Sequence, residues 1–330
     1  MRLRGHPWRN DVRNRARRAL ARHHGAVAVL LYHRVADTPR DPQQLAVAPE
    51  RFAAHLEVLA ATCTPVALGE AVARLRSPRG LPPRAVAVTF DDGYRDNLHT
   101  AKPLLERHGV PATVFVASGY VGAGREFWWD ELESLLLDEP TAGRAATVAV
   151  DGDVHAVATE AERRTAYDRL AAALRPATVE RRDAILRALR EWAGESPDGR
   201  RRSDRLAVDP DELRRLDGGA VRVGAHTRHH LSLAAHPPAV QREEIAAGAT
   251  DLSAWLGRPI DLFAYPFGSP ADVGDATVAA AREAGFALSA INQPGLATAL
   301  TGRHAVPRFL VRDWPADRFE AWLQTEVLAT

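Results

Sequence analysis

Two acidic side chains stand side by side where an apolar run ends, in Val86-Ala87-Val88-Thr89-Phe90-Asp91-Asp92-Gly93, and a second apolar run leads into His226-Thr227-Arg228-His229-His230. Adjacent like charges are costly to bury unless a cation or a proton compensates them. Two imidazoles one helical turn apart offer further ligands for such a cation. Asp92, His226 and His230 would make a three-ligand set of oxygen and nitrogen with a coordination position open for water, the arrangement of catalytic rather than structural metals. Asp91 is then left to take a proton.

These side chains lie far apart along the chain, so a scaffold must bring them together. Short apolar runs alternate with amphipathic stretches, the pattern of a parallel α/β sheet or barrel. The spacing predicts strands at 26–32, 85–90, 112–117, 221–225, 261–264, 286–291 and 306–311, and helices at 49–61, 100–107, 239–256 and 275–284. Several strands run straight into chemistry: His33 follows the first, Asp91 and Asp92 the second, His226 the fourth, and Tyr265-Pro266-Phe267-Gly268 the fifth. Parallel strands present their carboxyl ends on one face, which is where barrels of this kind gather catalytic groups.

Residues 138–205 interrupt the alternation. Val148-Ala149-Val150-Asp151-Gly152-Asp153-Val154 reads as a hairpin with an Asp-Gly turn. Helical stretches follow, with Leu170, Leu174, Ile185, Leu186 and Leu189 on the apolar side, and 194–204 reads as a polar linker back into the main body. The expected organisation is a basic arm at 1–25, a barrel formed by 26–137 and 206–330, and an inserted hairpin plus helical subdomain at 138–205. Such an insertion acts as a lid or docking surface over the active face, or it decorates the barrel flank. Just before it, Trp128 and Trp129 either stack on a pyranose or anchor the next helix, 131–137, in the core.

At 330 residues with 46% hydrophobic content, the chain can build one large core with an insertion. Forty-three basic residues balance 42 acidic ones, so no overall field steers the protein toward nucleic acid. The lone Cys63 leaves no internal disulfide and no thiolate cluster, which fits a cytoplasmic protein and restricts any metal to nitrogen and oxygen ligands. Residues 1–22 carry eight arginines and one acidic residue, including Arg17-Arg18, without the apolar segment of an export signal. They read as a solvated arm or as a weak contact with an anionic membrane surface. No stretch is long enough to span a bilayer.

Thr89-Phe90-Asp91-Asp92-Gly93, the His226–His230 segment with Leu233 after it, and Tyr265-Pro266-Phe267-Gly268 resemble, in order, signature motifs of the polysaccharide deacetylase family, also called the NodB-homology or carbohydrate esterase 4 family. The segment Pro103 to Val116 also resembles the family. The likeness implies a distorted (β/α) barrel that removes N-acetyl, sometimes O-acetyl, groups from glycans with one divalent metal. Zinc is the first expectation, and cobalt, nickel and manganese accept similar ligands. It assigns Asp91 as general base, Asp92, His226 and His230 as metal ligands, and a backbone N–H at Tyr265 to the oxyanion. His229 stands near enough to share the metal, but the family pattern selects His230.

Two positions depart from the commonest pattern. No Leu-His motif follows the last strand, so the general acid must come from elsewhere. Leu31-Tyr32-His33-Arg34-Val35 resembles the N-terminal motif of a subgroup acting on poly-N-acetylglucosamine-type polymers, which makes His33 the acid, with His304 a weaker rival. The usual arginine before Tyr265 is also missing. Arg308 either replaces it by pairing with Asp91 or forms an ordinary surface ion pair. His23, His24, His55, His99, His108 and His236 read as surface or capping residues. The expected activity is therefore N-deacetylation of a glycan, a polysaccharide or glycolipid containing N-acetylhexosamine. The alternatives are hydrolysis of a small amide or ester, and a non-catalytic glycan-binding or scaffold role.

Overall fold

The computed structural model describes residues 25–138, 144–196 and 202–328. The arm expected at 1–25 lies outside the described residues except for Gly25, as does the middle of the linker expected at 194–204. In chain order the strands are β1 (Val27–Tyr32), β2 (Arg34–Val35), β3 (Ala46–Val47), β4 (Thr64–Pro65), β5 (Ala85–Phe90), β6 (Ala112–Val116), β7 (Thr147–Val150), β8 (Asp153–Ala156), β9 (Val221–Ala225), β10 (Leu262–Ala264), β11 (Leu288–Ala290) and β12 (Phe309–Leu310).

The main sheet runs β11-β10-β9-β6-β5-β1-β12 with every pairing parallel, and β4 adds to the start of β5. Parallel strands covered on both faces need apolar residues throughout, and all of β1 and β5 is buried. One face carries Leu30, Val88, Val114, Val223 and Phe263 against the helices Pro49–Thr62 and Pro238–Leu256. The other encloses smaller residues, Val27, Val29, Ala85, Ala87, Ala264 and Ala290, around Phe115. Gly224 in β9 makes room for that ring, since a Cβ there would sit 2.7 Å from it.

The sheet curls until its ends meet. Val306 bridges to Ala290 of β11, while Phe309 and Leu310 pair with Leu30 and Leu31 of β1. The strand expected at 306–311 is thus shared between two neighbours and closes a distorted barrel, with Arg308 placed between the two contacts.

The insertion builds a second core. Its hairpin β7–β8 turns at Asp151 and Gly152, both with positive φ as an Asp-Gly turn requires. Leu170 and Leu174 on the helix Glu160–Leu174 and Ile185, Leu186 and Leu189 on the helix Val179–Ala193 are buried, as the spacing predicts. Both helices pack on Trp128–Leu137, which is buried along its whole length because the barrel covers one side and the insertion another. No helix among the described residues is long and apolar enough to cross a membrane.

Candidate active site

The end of β5 is shaped by a turn that few residue types tolerate. Asp91 donates its N–H to the Tyr32 carbonyl at 3.1 Å, and then Asp92 and Gly93 adopt φ of +76° and +86°. Positive φ is strained for a residue with a side chain. At position 93 a Cβ would also meet Val116 at 2.9 Å, so the glycine is required twice over.

Asp92, His226 and His230 converge, each buried, with one ligand atom apiece inside a 4.8 Å span. Asp92 Oδ1 lies 3.8 Å from His226 Nε2 and 3.4 Å from His230 Nε2. Ligands about 2.1 Å from a tetrahedral ion stand about 3.4 Å from one another, so the spacing fits a metal better than direct hydrogen bonds. The donor set fits as well. His226 donates from Nδ1 to the Ala264 carbonyl at 2.7 Å, which turns the Nε2 lone pair toward Asp92. Asp92 Oδ1 is buried with no hydrogen-bond partner among the described residues. Burial and the neighbouring Asp91 charge push the Asp92 carboxyl well above its ordinary range, and burial pushes both imidazoles below theirs. A buried carboxylate without a cation beside two free imidazole nitrogens is what a divalent ion would complete.

The spacing of the two histidines has a different origin from the helical turn expected. Residues 226–230 form a loop in which Thr227 and His230 take φ of +63° and +52°. The His230 N–H bonds to Thr227 Oγ1 at 3.0 Å, a local closure that sets the loop against helix formation. His229 faces away, donating from Nδ1 to Glu244 at 2.7 Å.

Asp91 has the opposite surroundings. Arg308, 1% exposed, grips both of its oxygens at 2.7 Å, so the pairing is buried rather than a surface contact. Burial raises the Asp91 carboxyl, but the Arg308 guanidinium and the nearby imidazoles outweigh it and leave Asp91 below its ordinary range. His33 lines the same cavity, which measures about 340 Å³. Burial pushes its imidazole down to about 4 against the opposing pull of Asp91. His33 is therefore a neutral base at neutral pH.

Tyr265 does not stand where the motif suggested. Its N–H is consumed by the Ala290 carbonyl at 3.1 Å in the ladder between β10 and β11, and its hydroxyl donates to the His304 carbonyl. The neighbouring Phe267 lines the cavity with φ of +59°, and its N–H makes no hydrogen bond among the described residues. Residue types alone conceal this, because a motif does not reveal which peptide groups the sheet has already used. His304 accepts or shares a bond with Ser289 and does not line the cavity.

Trp128 and Trp129 are each 5% exposed, belong to the second core and also line the cavity. Trp129 donates from Nε1 to Tyr94 at 2.8 Å and its ring lies 4.7 Å from that of His230. Arg175 reaches the cavity from the insertion, bonded to Asp272 at 2.6 Å and stacked over Phe267. Of the remaining histidines, His55 and His236 are buried rather than superficial. His55 stacks on Phe319 and bonds to the Trp314 carbonyl, because the helix Pro49–Thr62 turns this face to the barrel. His23 and His24 lie outside the described residues.

A family model described as polysaccharide deacetylase matches residues 79–289, nearly two thirds of the chain, and the chain belongs to that family. The matched stretch contains Asp91, Asp92, His226 and His230 but neither His33 nor Arg308. The chain is 33% identical over 98 residues to the putative polysaccharide deacetylase YxkH of Bacillus subtilis (strain 168), a match spanning 28% of this chain and only 33% of that relative. Among solved structures, the Streptococcus pyogenes deacetylase PplD in complex with acetate superposes with a TM-score of 0.59 at 17% identity, covering 91% of this chain and 98% of that one. IcaB from Ammonifex degensii superposes with a TM-score of 0.57 at 22% identity, covering 91% and 97%. The distorted barrel of the deacetylases is the fold of this chain.

Proposed function

We propose that this protein is a metal-dependent N-deacetylase of glycans, a hydrolase that releases acetate from an N-acetylhexosamine unit and leaves a free amine. The observation that carries this reading is one cavity in which three buried ligand atoms lie within 4.8 Å of one another beside a separately compensated carboxylate. When bound by Asp92, His226 and His230, a divalent ion supplies Lewis acidity toward the amide carbonyl and acidifies water. Zinc suits one oxygen and two nitrogen ligands, and cobalt, nickel and manganese also accept them.

The side chains divide the remaining work. Asp91, kept ionised and oriented by Arg308, takes the proton of the attacking water. The Phe267 N–H, rather than that of Tyr265, supports the developing oxyanion. Collapse must put a proton on the leaving nitrogen. His33, neutral beforehand and close enough to feel the Asp91 charge, takes from Asp91 the proton that Asp91 removed from water and delivers it to the leaving nitrogen, which returns Asp91 to its ionised state. Trp128 or Trp129 offers an aromatic edge or face to the sugar.

Acetate release is the test. The metal-loaded protein should liberate acetate from N-acetylglucosamine oligomers and leave simple amides and esters intact. Turnover of the small amides with untouched oligomers would replace the glycan reading by small-molecule hydrolysis. No turnover of either class would favour a binding role.

A further inference from the structure

The insertion reaches the metal-ligand loop through one buried guanidinium. Arg182 is 3% exposed on the helix Val179–Ala193 and lies over the Trp128 ring, 5.2 Å from its centroid. It donates from Nε to the Leu174 carbonyl at 2.9 Å and from Nη2 to the Arg175 carbonyl at 2.8 Å, at the end of the helix Glu160–Leu174. From Nη1 it donates to the carbonyls of His229 and His230, each at 3.2 Å. No carboxylate lies within ion-pairing distance among the described residues. Burying a guanidinium with no carboxylate in direct contact, only the more distant Glu244 and Asp183, is costly, and an apolar side chain would fill the same space. Carbonyls at a helix C-terminus soften that cost, but they do not explain why the charge is there.

The explanation lies in His230. Its φ of +52° belongs to a region that residues with side chains seldom enter, and such a backbone persists only where its surroundings over-determine it. Thr227 Oγ1 holds the N–H side of the residue and Arg182 holds its carbonyl. His226 needs no such help, since it leaves β9 directly and is steered by the Ala264 carbonyl. We infer that Arg182 is a positioning residue through which the insertion presets the His230 backbone for metal binding. This rests on the metal-site part of the reading above, not on the identity of the glycan.

The test is equilibrium titration of the full chain with zinc or cobalt against a competing chelator, which requires no substrate. R182M should bind metal at least about tenfold more weakly, the scale seen when groups supporting metal ligands are removed, while far-UV circular dichroism stays unchanged. R182K keeps a charge but cannot reach all four carbonyls, so it should fall between R182M and the natural protein. R181M, which removes only a surface pairing with Asp151, should bind metal normally. A purely structural role would lower the melting temperature and leave metal affinity below the melt unchanged; that outcome in R182M overturns the inference. Should R182M not fold, R182K decides alone: natural affinity overturns the inference and weakened affinity upholds it. Failure of the natural protein to bind any divalent ion would instead overturn the metal-site reading itself.

Discussion

Asp91 faces the seam where β12 closes against β1, and Asp92 faces the loop that leaves β9; the two side chains share a peptide bond and very different fields. At the seam, Arg308 supplies a full positive charge through two 2.7 Å bonds. At the loop, Asp92 faces the two imidazoles, is buried beside the Asp91 and Asp130 charges, and its Oδ1 has no hydrogen-bond partner among the described residues. One carboxyl is therefore lowered and the other raised. Neighbouring carboxylates forced apart in this way take different tasks: the compensated one is free to handle protons, and the uncompensated one requires a cation.

The sharpest way to break the comparison is to disable each side in turn. His226→Ala removes a ligand and should abolish stoichiometric metal binding and, with it, turnover. Asp91→Asn should leave metal content near that of the natural protein and lower kcat by about a hundredfold to ten thousandfold, the range of a lost general base. Metal analysis and acetate release on the same preparations check both. Equal metal loss in the two variants would erase the division between the carboxylates.

Arg308→Met carries the next largest effect, because it strands a buried carboxylate. The expected loss is about 3–5 kcal/mol of stability at neutral pH, the usual consequence of breaking a buried pair from one side. The sign follows from the lowered Asp91 value. Stabilisation from a depressed carboxyl is fully present above its unfolded pKa of about 4 and disappears as pH falls through the folded value. Urea unfolding should therefore separate the variant from the natural protein widely at pH 7 and progressively less as pH falls below about 4 and through the lowered Asp91 value. The acidic limb of kcat/KM should also move upward, since Asp91 loses the charge that keeps it ionised. An unchanged limb would mean that another group sets it.

These contrasts were legible to different degrees. Strand ends were readable because β1, β5, β9 and β10 are apolar runs that stop abruptly at His33, Asp91, His226 and Tyr265. A parallel sheet puts such ends on one face whatever the loops do. Arg308 remained an open choice, since its partner lies 217 residues away and only closure of the barrel at the shared 306–310 stretch brings them together. The four-residue spacing of His226 and His230 suggested a helical turn, and left-handed residues at 227 and 230 produce the same proximity differently. Arg182 gave no signal at all. Its acceptors are main-chain carbonyls of other segments, and it sits among many arginines in an amphipathic helix.

The smallest expected effects separate two tryptophans that the sequence could not tell apart. Both line the cavity and both are nearly buried, yet only Trp129 has its indole N–H engaged, by Tyr94, which in turn donates to Asp130. Trp129→Phe removes that donor from a buried chain of polar groups and should lower stability by about 1 kcal/mol with KM unchanged. The Trp128 N–H is buried without a hydrogen-bond partner among the described residues, so Trp128→Phe breaks no such chain. Its ring does pack under Arg182. Thermal melts and a glycan KM for each variant therefore read different things: a KM rise confined to Trp128→Phe identifies a sugar contact, whereas a fall in stability without a KM change in both variants reduces the pair to core packing.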